Sequence, residues 1–541
     1  MKPFQRPHPP PGRSLWLAPL VAWALVTTIA LQWSHQFGRL SIPATFDDVS
    51  YLGSAARSVT VLRDGGPAKL LVHLWHNPPH SPMLWAMGLI GFLVGGVRDW
   101  AAYVVHSVVL LVVLCAVAWF TRQGKLWERI ASVAFFALLP ASWLTVQELR
   151  PDAAAAFFAA ISCVLMIERV PKRGARLWVV SGLLALSLLA KPVVFPATIS
   201  LFGFSCVLAI ALAWMSRTRP GAKAAAARIT VLRCLRVFLL AAVLVAPYFV
   251  VGGSHVVAYI KSVLFSPQTE VWSLQTSAYT FRQHLGYYFQ RGAGFMGRGP
   301  LQIVLATAGL CVWILVVRGD RRARLRACAA AALILAAFSI VVMNRVKSPF
   351  FGLTFYSFLL VGTAAGLGQI LKLAALRTSM AFGVRFIVVG ATIGAVALFR
   401  MPASPVIIVT PEMRASAATL NMIVDAIVEE SSGGIVFLPT TGFLNAESLM
   451  YEADKRGVAI IATSQVFEKD RAIYEAAFDR AEMVVIPEPG TDLVAPIFPA
   501  GKALPQIWTW IQERPDFSVK RTWELASGGR VLLYVRARAP A

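Results

Sequence analysis

Long runs of hydrophobic residues, separated by short polar segments, fill the first 400 residues of this chain. Many of these runs are about 17 to 25 residues long, the length that a helix needs to cross the hydrocarbon core of a bilayer. The pattern predicts a polytopic α-helical membrane domain over residues 15–400. Eleven spans follow from it: 15–33, 100–120, 130–146, 153–167, two halves of 177–215 divided at Lys191-Pro192, a run ending near 251, 301–317, 327–343, 350–371 and 382–398.

Basic residues set the expected orientation of these spans. Five short connections carry most of the Lys and Arg residues, and such loops collect on the cytoplasmic side: 121–129, 169–176, 217–236, 318–326 and 372–385. The basic tail 1–14 joins them, and the two long loops 35–99 and 252–299 then lie outside. The apolar run 83–97 is short and rich in glycine, and a crossing there would invert every later loop. We therefore predict that it is an interfacial or re-entrant helix.

The last part of the chain, residues 401–541, has a different pattern. Short β-rich runs at 406–409, 435–438, 458–462 and 483–486 alternate with segments of helical periodicity at 413–429, 446–456 and 471–480. Two further strands, 517–523 and 530–535, suit an antiparallel pair. This alternation predicts a soluble α/β domain on the periplasmic or extracellular face.

Composition agrees with a membrane protein and narrows the class. The 541 residues are 57% hydrophobic and only 14% charged, with a mean hydropathy of +0.65. The net charge of +24 divides unevenly: residues 401–541 hold 13 Lys and Arg against 17 Asp and Glu, which leaves 38 against 10 for the first 400. The excess belongs to the cytoplasmic loops, so nucleic acid is not a predicted partner. The six cysteines have neither disulfide nor zinc-ligand spacing.

The first candidate site is the pair Asp47-Asp48, which follows the first span directly. Ionisable residues at a membrane edge are costly and are a functional hypothesis by default. Two adjacent carboxylates can have different roles: one can act as a base while the other binds a cation or a hydroxyl group. A solvated loop with two acids is the plain alternative.

Two further candidates lie where later spans end on the same face. Arg150 suits a phosphate and Asp152 suits a second polar group or a divalent ion, although the pair also fits an ordinary charged helix end. Lys191, between two apolar runs, is either an anion ligand or a lysine that extends to the headgroups.

Weaker candidates occupy the other outer segments. The loop with His73, His76 and His80 contains a double proline that interrupts helix, so zinc binding is not expected, whereas substrate contact by His76 or Asn77 stays open. Aromatic and basic residues elsewhere suit a sugar face and a phosphate, and equally an interfacial belt: Tyr287, Arg291, Arg345 and Lys347.

Four motifs together resemble a known family. The acidic pair, an Asn77-Pro78-Pro79 in the same loop, an Arg-x-Asp after the third span and a Lys-Pro after the fifth are similar in order and sidedness to the GT-C-fold glycosyltransferases. These enzymes use polyprenyl-phosphate sugars, as protein O-mannosyltransferases and lipid A aminoarabinose transferases do. The resemblance covers roughly residues 15–400.

The resemblance implies an activity and residue roles. By this resemblance, Asp47 is the general base and Lys191 matches a position associated with the donor's lipid phosphate. Arg150 and Asp152 match the second outer motif. Asp48 stands where the family more often has Glu. The implied reaction is inverting transfer of a sugar from a polyprenyl-phosphate donor to a glycan, lipid or protein acceptor at the periplasmic face of the inner membrane.

The sequence leaves the cofactor and two other functions open. No cofactor is assigned, and a divalent cation such as Mg²⁺ or Mn²⁺ held by Asp48 and Asp152 is one alternative. A transporter or flippase of lipid-linked sugars is a second function, although no inverted repeat is visible. A ligase that joins a preassembled glycan in the outer leaflet is a third.

Overall fold

The computed structural model describes residues 14–44, 46–265, 280–290, 296, 298–344, 347–376, 378–399, 409–430, 434–439, 444–491, 498–526 and 528–537. Sixteen helices of the membrane domain lie within these ranges. They are α1 Ser14–Phe37, α2 Phe46–His76, α3 Pro82–Gly95, α4 Asp99–His106, α5 Val108–Phe120, α6 Leu126–Ala137, α7 Pro140–Gln147, α8 Pro151–Glu168, α9 Ala175–Ala190, α10 Phe195–Met215, α11 Pro220–Phe265, α12 Phe281–Gln290, α13 Arg298–Arg318, α14 Arg321–Met343, α15 Gly352–Leu376 and α16 Thr378–Ala397.

The helices match the predicted spans. Among the described residues, eight helices are long and apolar enough to cross a membrane, and a ninth span results if α6 and α7, bent by 60°, count as one. The two other predicted spans correspond to shorter apolar helices, Ala175–Ala190 and Ile387–Ala397. The predicted class, a polytopic α-helical membrane protein with a small C-terminal sheet domain, is confirmed.

The outer segment 35–99 is mostly helical rather than a loop. Residues 46–76 form α2, which is broken at Gly66 (φ 69°) and Pro67. The run predicted as an interfacial or re-entrant helix is α3, only 14 residues long and capped by the Ser81 hydroxyl, which accepts a hydrogen bond from the Leu84 amide. The hydrophobic pattern missed α2 because its apolar and polar residues are mixed around the whole circumference.

Glycines of α3 allow it to approach α4 closely. A Cβ at Gly91 would lie 2.6 Å from the carbonyl oxygen of Ala101, an impossible distance for a real contact. Small residues at helix interfaces serve this purpose in membranes. We expect Gly91→Ala to lower the free energy of unfolding by about 1–3 kcal/mol through overpacking. Thermal unfolding of the purified protein measures it.

Gly182→Ala in α9 is the matched control. A Cβ there meets no described residue within 4 Å, so the added methyl should leave stability unchanged or raise it slightly, because alanine favours helix. Equal unfolding temperatures for the two variants would show that α3 and α4 are not in close contact.

Helix α8 is the centre of the bundle. Every residue from Pro151 to Ile167 is buried, and α9, α10 and α15 pack around it. Pro151 suits the first turn because it has no amide hydrogen to satisfy there. The 18 residues of α8 give it a length of about 27 Å, so its two ends lie at opposite faces of the membrane domain.

In its described residues, the C-terminal domain is a five-stranded mixed sheet with helices. Its elements are α17 Pro411–Glu430, β1 Ile435–Phe437, α18 Ala446–Lys455, β2 Ile461–Thr463, α19 Arg471–Arg480, β3 Ala481–Pro487, α20 Pro499–Gln512, β4 Phe517–Glu524 and β5 Arg530–Arg536. The strand order is β2-β1-β3-β5-β4, parallel from β2 to β3 and antiparallel from β3 to β4. The predicted pair of last strands is therefore correct. Helix α20 was missed, and most of the strand predicted at 406–409 lies outside the described residues.

This domain is held against the membrane helices through α18, which packs on α2. The fully buried Tyr451 donates a hydrogen bond of 2.7 Å to Asp99 Oδ1, and Lys455 Nζ lies 3.3 Å from the same oxygen. The Ser448 hydroxyl donates to the Ala44 carbonyl at 2.9 Å. The sheet domain thus sits at the end of the bundle where the acidic pair lies.

Candidate active site

Asp48 is the centre of a buried ionic cluster. It lies in the first turn of α2, where the helix dipole favours a negative charge, and its side chain is fully buried. Arg39 Nε donates a 2.9 Å hydrogen bond to Oδ2, and the Tyr103 hydroxyl donates to the same oxygen at 2.6 Å. Arg150 Nε is 3.5 Å from Oδ1. One carboxylate therefore joins three segments that are distant in sequence.

A short extended connection supplies the other half of the cluster. Glu148 (φ −122°, ψ 125°) and Arg150 (φ −116°, ψ 129°) both have extended backbone, so their side chains project to the same side. Pro151 favours this conformation in the residue before it. Glu148 Oε2 lies 3.5 Å from Arg39 Nε and 4.0 Å from Arg150 Nε. Two carboxylates thus face two guanidinium groups.

The charges in this cluster stabilise one another. Burial alone would raise the pKa of Asp48, but the charges of Arg39 and then Arg150, with the hydrogen bonds from Arg39 and Tyr103, hold this pKa below its ordinary value. Asp48 is therefore ionised. Such a cluster is costly to desolvate and is a weak source of stability, which favours a functional reason for its presence.

Arg39 has unused donor capacity. Its Nη1 and Nη2 atoms are buried and have no hydrogen-bond partner among the described residues. A guanidinium offers its donors as a planar fork that matches phosphate and carboxylate oxygens. Buried donors of this kind are normally satisfied, so an anionic group or ordered water is the expected partner.

A second ion pair lies beside the cluster. Lys191 Nζ is 2.6 Å from Asp152 Oδ1, with 15% and 8% of the two side chains exposed. The 3₁₀ turn Pro349–Phe351 connects it to the cluster, because the Arg150 guanidinium lies 4.2 Å from the Phe350 ring centroid and Lys191 Nζ lies 5.0 Å from that of Phe351. The three residues predicted from helix ends therefore share one neighbourhood.

The Asn-Pro-Pro loop approaches this neighbourhood without entering the ionic cluster. The Ser81 hydroxyl donates a 2.5 Å hydrogen bond to the carbonyl of Ala190, the residue before Lys191. His76 and Asn77 are exposed, and the Asn77 side chain donates to the His73 carbonyl at 3.4 Å.

Other predicted residues have different surroundings. Tyr287 is buried. Lys347 is also buried, and its ammonium group donates to the carbonyls of Val341 at 2.9 Å and Val342 at 2.7 Å, which caps the end of α14. Burial lowers the pKa of Lys347 to about 8. Arg291, Arg345 and the side chain of Asp47 lie outside the described residues.

The described residues contain no group of three His, Cys, Asp or Glu side chains placed to hold a metal ion. The carboxylates considered for a divalent cation, Asp48 and Asp152, contact arginine and lysine instead.

Sequence reasoning missed two members of the site, Arg39 and Tyr103. Arg39 lies in the 3₁₀ turn Arg39–Ser41, where no pattern distinguishes it from a headgroup contact. Tyr103 lies inside an apolar run in α4 and is almost fully buried, and the buried His106 follows three residues later on the same face of the helix. Polar residues at helical spacing within a membrane span were the available indication.

The fold and this site define a class: a polytopic membrane protein of GT-C fold with an exposed α/β domain and a buried ionic cluster at one end of its bundle. No family model matches the sequence, and no curated protein matches it either. The solved structures that share the fold include two of ArnT, the lipid A aminoarabinose transferase, from Cupriavidus metallidurans.

The likeness to ArnT extends over nearly the whole chain. The structure bound to undecaprenyl phosphate has a TM-score of 0.56 and 12% identity, covering 97% of this chain and 98% of that chain. The apo structure has a TM-score of 0.53 and 12% identity, with 95% and 97% covered. The predicted fold is confirmed in both of its parts.

Proposed function

We propose that this protein is a membrane glycosyltransferase that moves a sugar from a polyprenyl-phosphate donor to an acceptor at the outer, periplasmic face of the inner membrane. This function is supported by the buried cluster of Asp48, Arg39, Glu148 and Arg150, which lies beside Lys191. It lies in a fold shared with a protein crystallised with undecaprenyl phosphate.

The cationic groups have the role of binding the donor phosphate. Breaking the bond between the sugar and the phosphate develops negative charge on the leaving group, and preorganised cations stabilise that charge. Arg39 offers two buried nitrogen donors that have no hydrogen-bond partner in the described part of the chain, and Lys191 lies near Arg150 across the turn Pro349–Phe351. The apolar surface of the helices then accommodates the polyprenyl chain.

Asp47 has the role of general base. Its neighbour Asp48 is engaged by Arg39, Arg150 and Tyr103, which favours Asp47 as the carboxylate that accepts a proton. The acceptor hydroxyl loses its proton to Asp47 while its oxygen bonds to the anomeric carbon and the bond to the phosphate oxygen breaks. Attack from the face opposite the phosphate inverts the anomeric centre.

The basic loops favour an orientation with the N-terminus in the cytoplasm and the sheet domain in the periplasm. The sheet domain contacts α2, whose first turn carries Asp47 and Asp48, so it is suited to receive a glycan, lipid or protein acceptor.

Incubation of membranes that contain the protein with a radiolabelled polyprenyl-phosphate monosaccharide tests this function. We expect label to move to a second molecule in a 1:1 ratio with released polyprenyl phosphate. Label that crosses the bilayer while still attached to its lipid would identify a flippase. Label transferred only from a donor carrying a preassembled glycan would identify a ligase.

A further inference from the structure

The opposite end of the bundle contains an unassigned cavity. A space of about 210 Å³ opens where α5 and α8 end, and residues of α9, α14 and α15 complete its wall. Glu168, the last residue of α8, lies in the wall of the cavity. Asp152, which lies beside the ionic cluster, is in the first turn of the same helix. The length of α8, about 27 Å, separates the two regions.

The cavity concentrates positive charge. Among the described residues, its lining includes five cationic side chains and a single carboxylate, that of Glu168: the cations are Arg122, Arg169, Arg176, Arg326 and Lys372. Arg326 Nη1 lies 3.8 Å from Glu168 Oε2, which also accepts a 2.8 Å hydrogen bond from the Gln369 amide. Within the described part of the chain, no other carboxylate comes within 4.0 Å of the remaining four cations. Most of this charge is therefore uncompensated.

Fixed contacts orient the cations toward the cavity. Arg176 Nη2 donates to the Leu165 carbonyl at 3.2 Å, and its buried Nε has no hydrogen-bond partner in the described residues. Arg122 Nη1 donates to the Trp119 carbonyl at 2.6 Å, and its guanidinium lies 4.1 Å from the Trp119 ring centroid. Basic residues in a loop are enough to keep that loop in the cytoplasm. This role alone does not explain a cavity or a buried donor that lacks a described partner.

Apolar groups in the wall favour a lipid as the source of the anion. Trp119, Phe120, Leu165 and Ala365 line the same space, and tryptophan is typical of the level of the lipid headgroups. Gly368 allows α15 to approach the Phe120 carbonyl, where a Cβ would collide, and so brings Gln369 and Lys372 to the wall.

We propose that this cavity binds the phosphate headgroup of an anionic phospholipid from the leaflet that faces the basic loops. The guanidinium groups of Arg122, Arg176 and Arg326 donate hydrogen bonds to the phosphate oxygens. Glu168 holds Arg326 and Gln369 in position when no lipid is bound. The site is independent of the proposed transfer reaction because a complete span separates it from Asp48.

The test uses the full-length protein, purified in neutral detergent, with three probes at equal concentration. Phosphatidylglycerol should raise the unfolding temperature and remain bound as one tightly held copy in native mass spectrometry. Phosphatidylcholine, whose headgroup is neutral overall, and inorganic phosphate should do neither. An equal effect of inorganic phosphate would overturn the assignment to a lipid, and an equal effect of phosphatidylcholine would overturn the anion site.

A double variant tests the location. Arg176→Gln with Lys372→Gln should reduce phosphatidylglycerol retention by roughly tenfold or more, because two cations leave the cavity. Arg318→Gln with Arg321→Gln removes the same charge from exposed positions outside its lining and should retain wild-type binding. Lys372→Gln alone, at an exposed position, should give a partial loss if the double variant is unstable. Equal losses in the test and control pairs would contradict a built site.

Discussion

Asp47→Asn is expected to reduce sugar transfer by roughly 10²- to 10⁴-fold, the usual contribution of a general base. An amide has the same shape as the carboxylate but cannot accept the proton of the acceptor hydroxyl. The fold should persist because the neighbouring Asp48 keeps its ion pairs to Arg39 and Arg150. Initial rates with a labelled donor, and the unfolding temperature of the same preparation, measure the two effects.

Asp64→Asn is the control for this variant. Asp64 is an exposed acid on the same helix, α2, so its loss should change neither rate nor stability. If Asp47→Asn transfers sugar at a rate near that of wild type, a group other than Asp47 accepts the proton.

Asp48→Ala is expected to lower the free energy of unfolding by about 3–5 kcal/mol. The substitution leaves the charges of Arg39 and Arg150 buried, with Glu148 as a carboxylate neighbour of both, and it removes the acceptor of the Tyr103 hydroxyl. Denaturant unfolding measures the loss. Asp425→Ala in the sheet domain, where 63% of the side chain is exposed, should cost little.

The pH dependence of stability tests whether Asp48 is the ionised partner of Arg39 and Arg150. Because the pKa of Asp48 is lower in the folded state than in the unfolded chain, its stabilising contribution is complete above the unfolded pKa of about 3.9 and is lost as pH falls below it. The stability difference between wild type and Asp48→Asn should therefore stay constant from neutral pH to about 4 and narrow below that pH. A difference that also stays constant below about pH 4 would mean that Asp48 is not the ionised partner of the two arginines.

Much of the fold follows from the sequence because the bilayer imposes a length on every crossing. The predicted spans therefore correspond to helices, and the two last strands of the sheet domain were found from their β-rich runs. Helix α20 was missed because Pro505 interrupts its pattern, although the proline is tolerated inside Pro499–Gln512. Strand β2 begins at Ile461 rather than Val458.

The site is only partly predictable, for physical reasons. Arg150, Asp152 and Lys191 are visible because charges beside prolines stand out at the ends of apolar runs. Arg39 is not, since its role depends on a tertiary contact with Asp48 across a 3₁₀ turn. Lys347 illustrates the opposite case: it is a plausible anion ligand by sequence, but its ammonium group contacts the carbonyls of Val341 and Val342.

Steady-state kinetics of Arg150→Ala test whether the buried cluster binds the phosphate of the donor. Donor and acceptor are varied separately, on the folded and membrane-inserted fraction, with Arg98→Ala as an exposed arginine control at the start of α4. We predict that the donor KM rises by roughly 10- to 100-fold, the equivalent of the charge-assisted hydrogen bonds lost, while the acceptor KM is unchanged. Equal losses for donor and acceptor would contradict phosphate binding at the cluster.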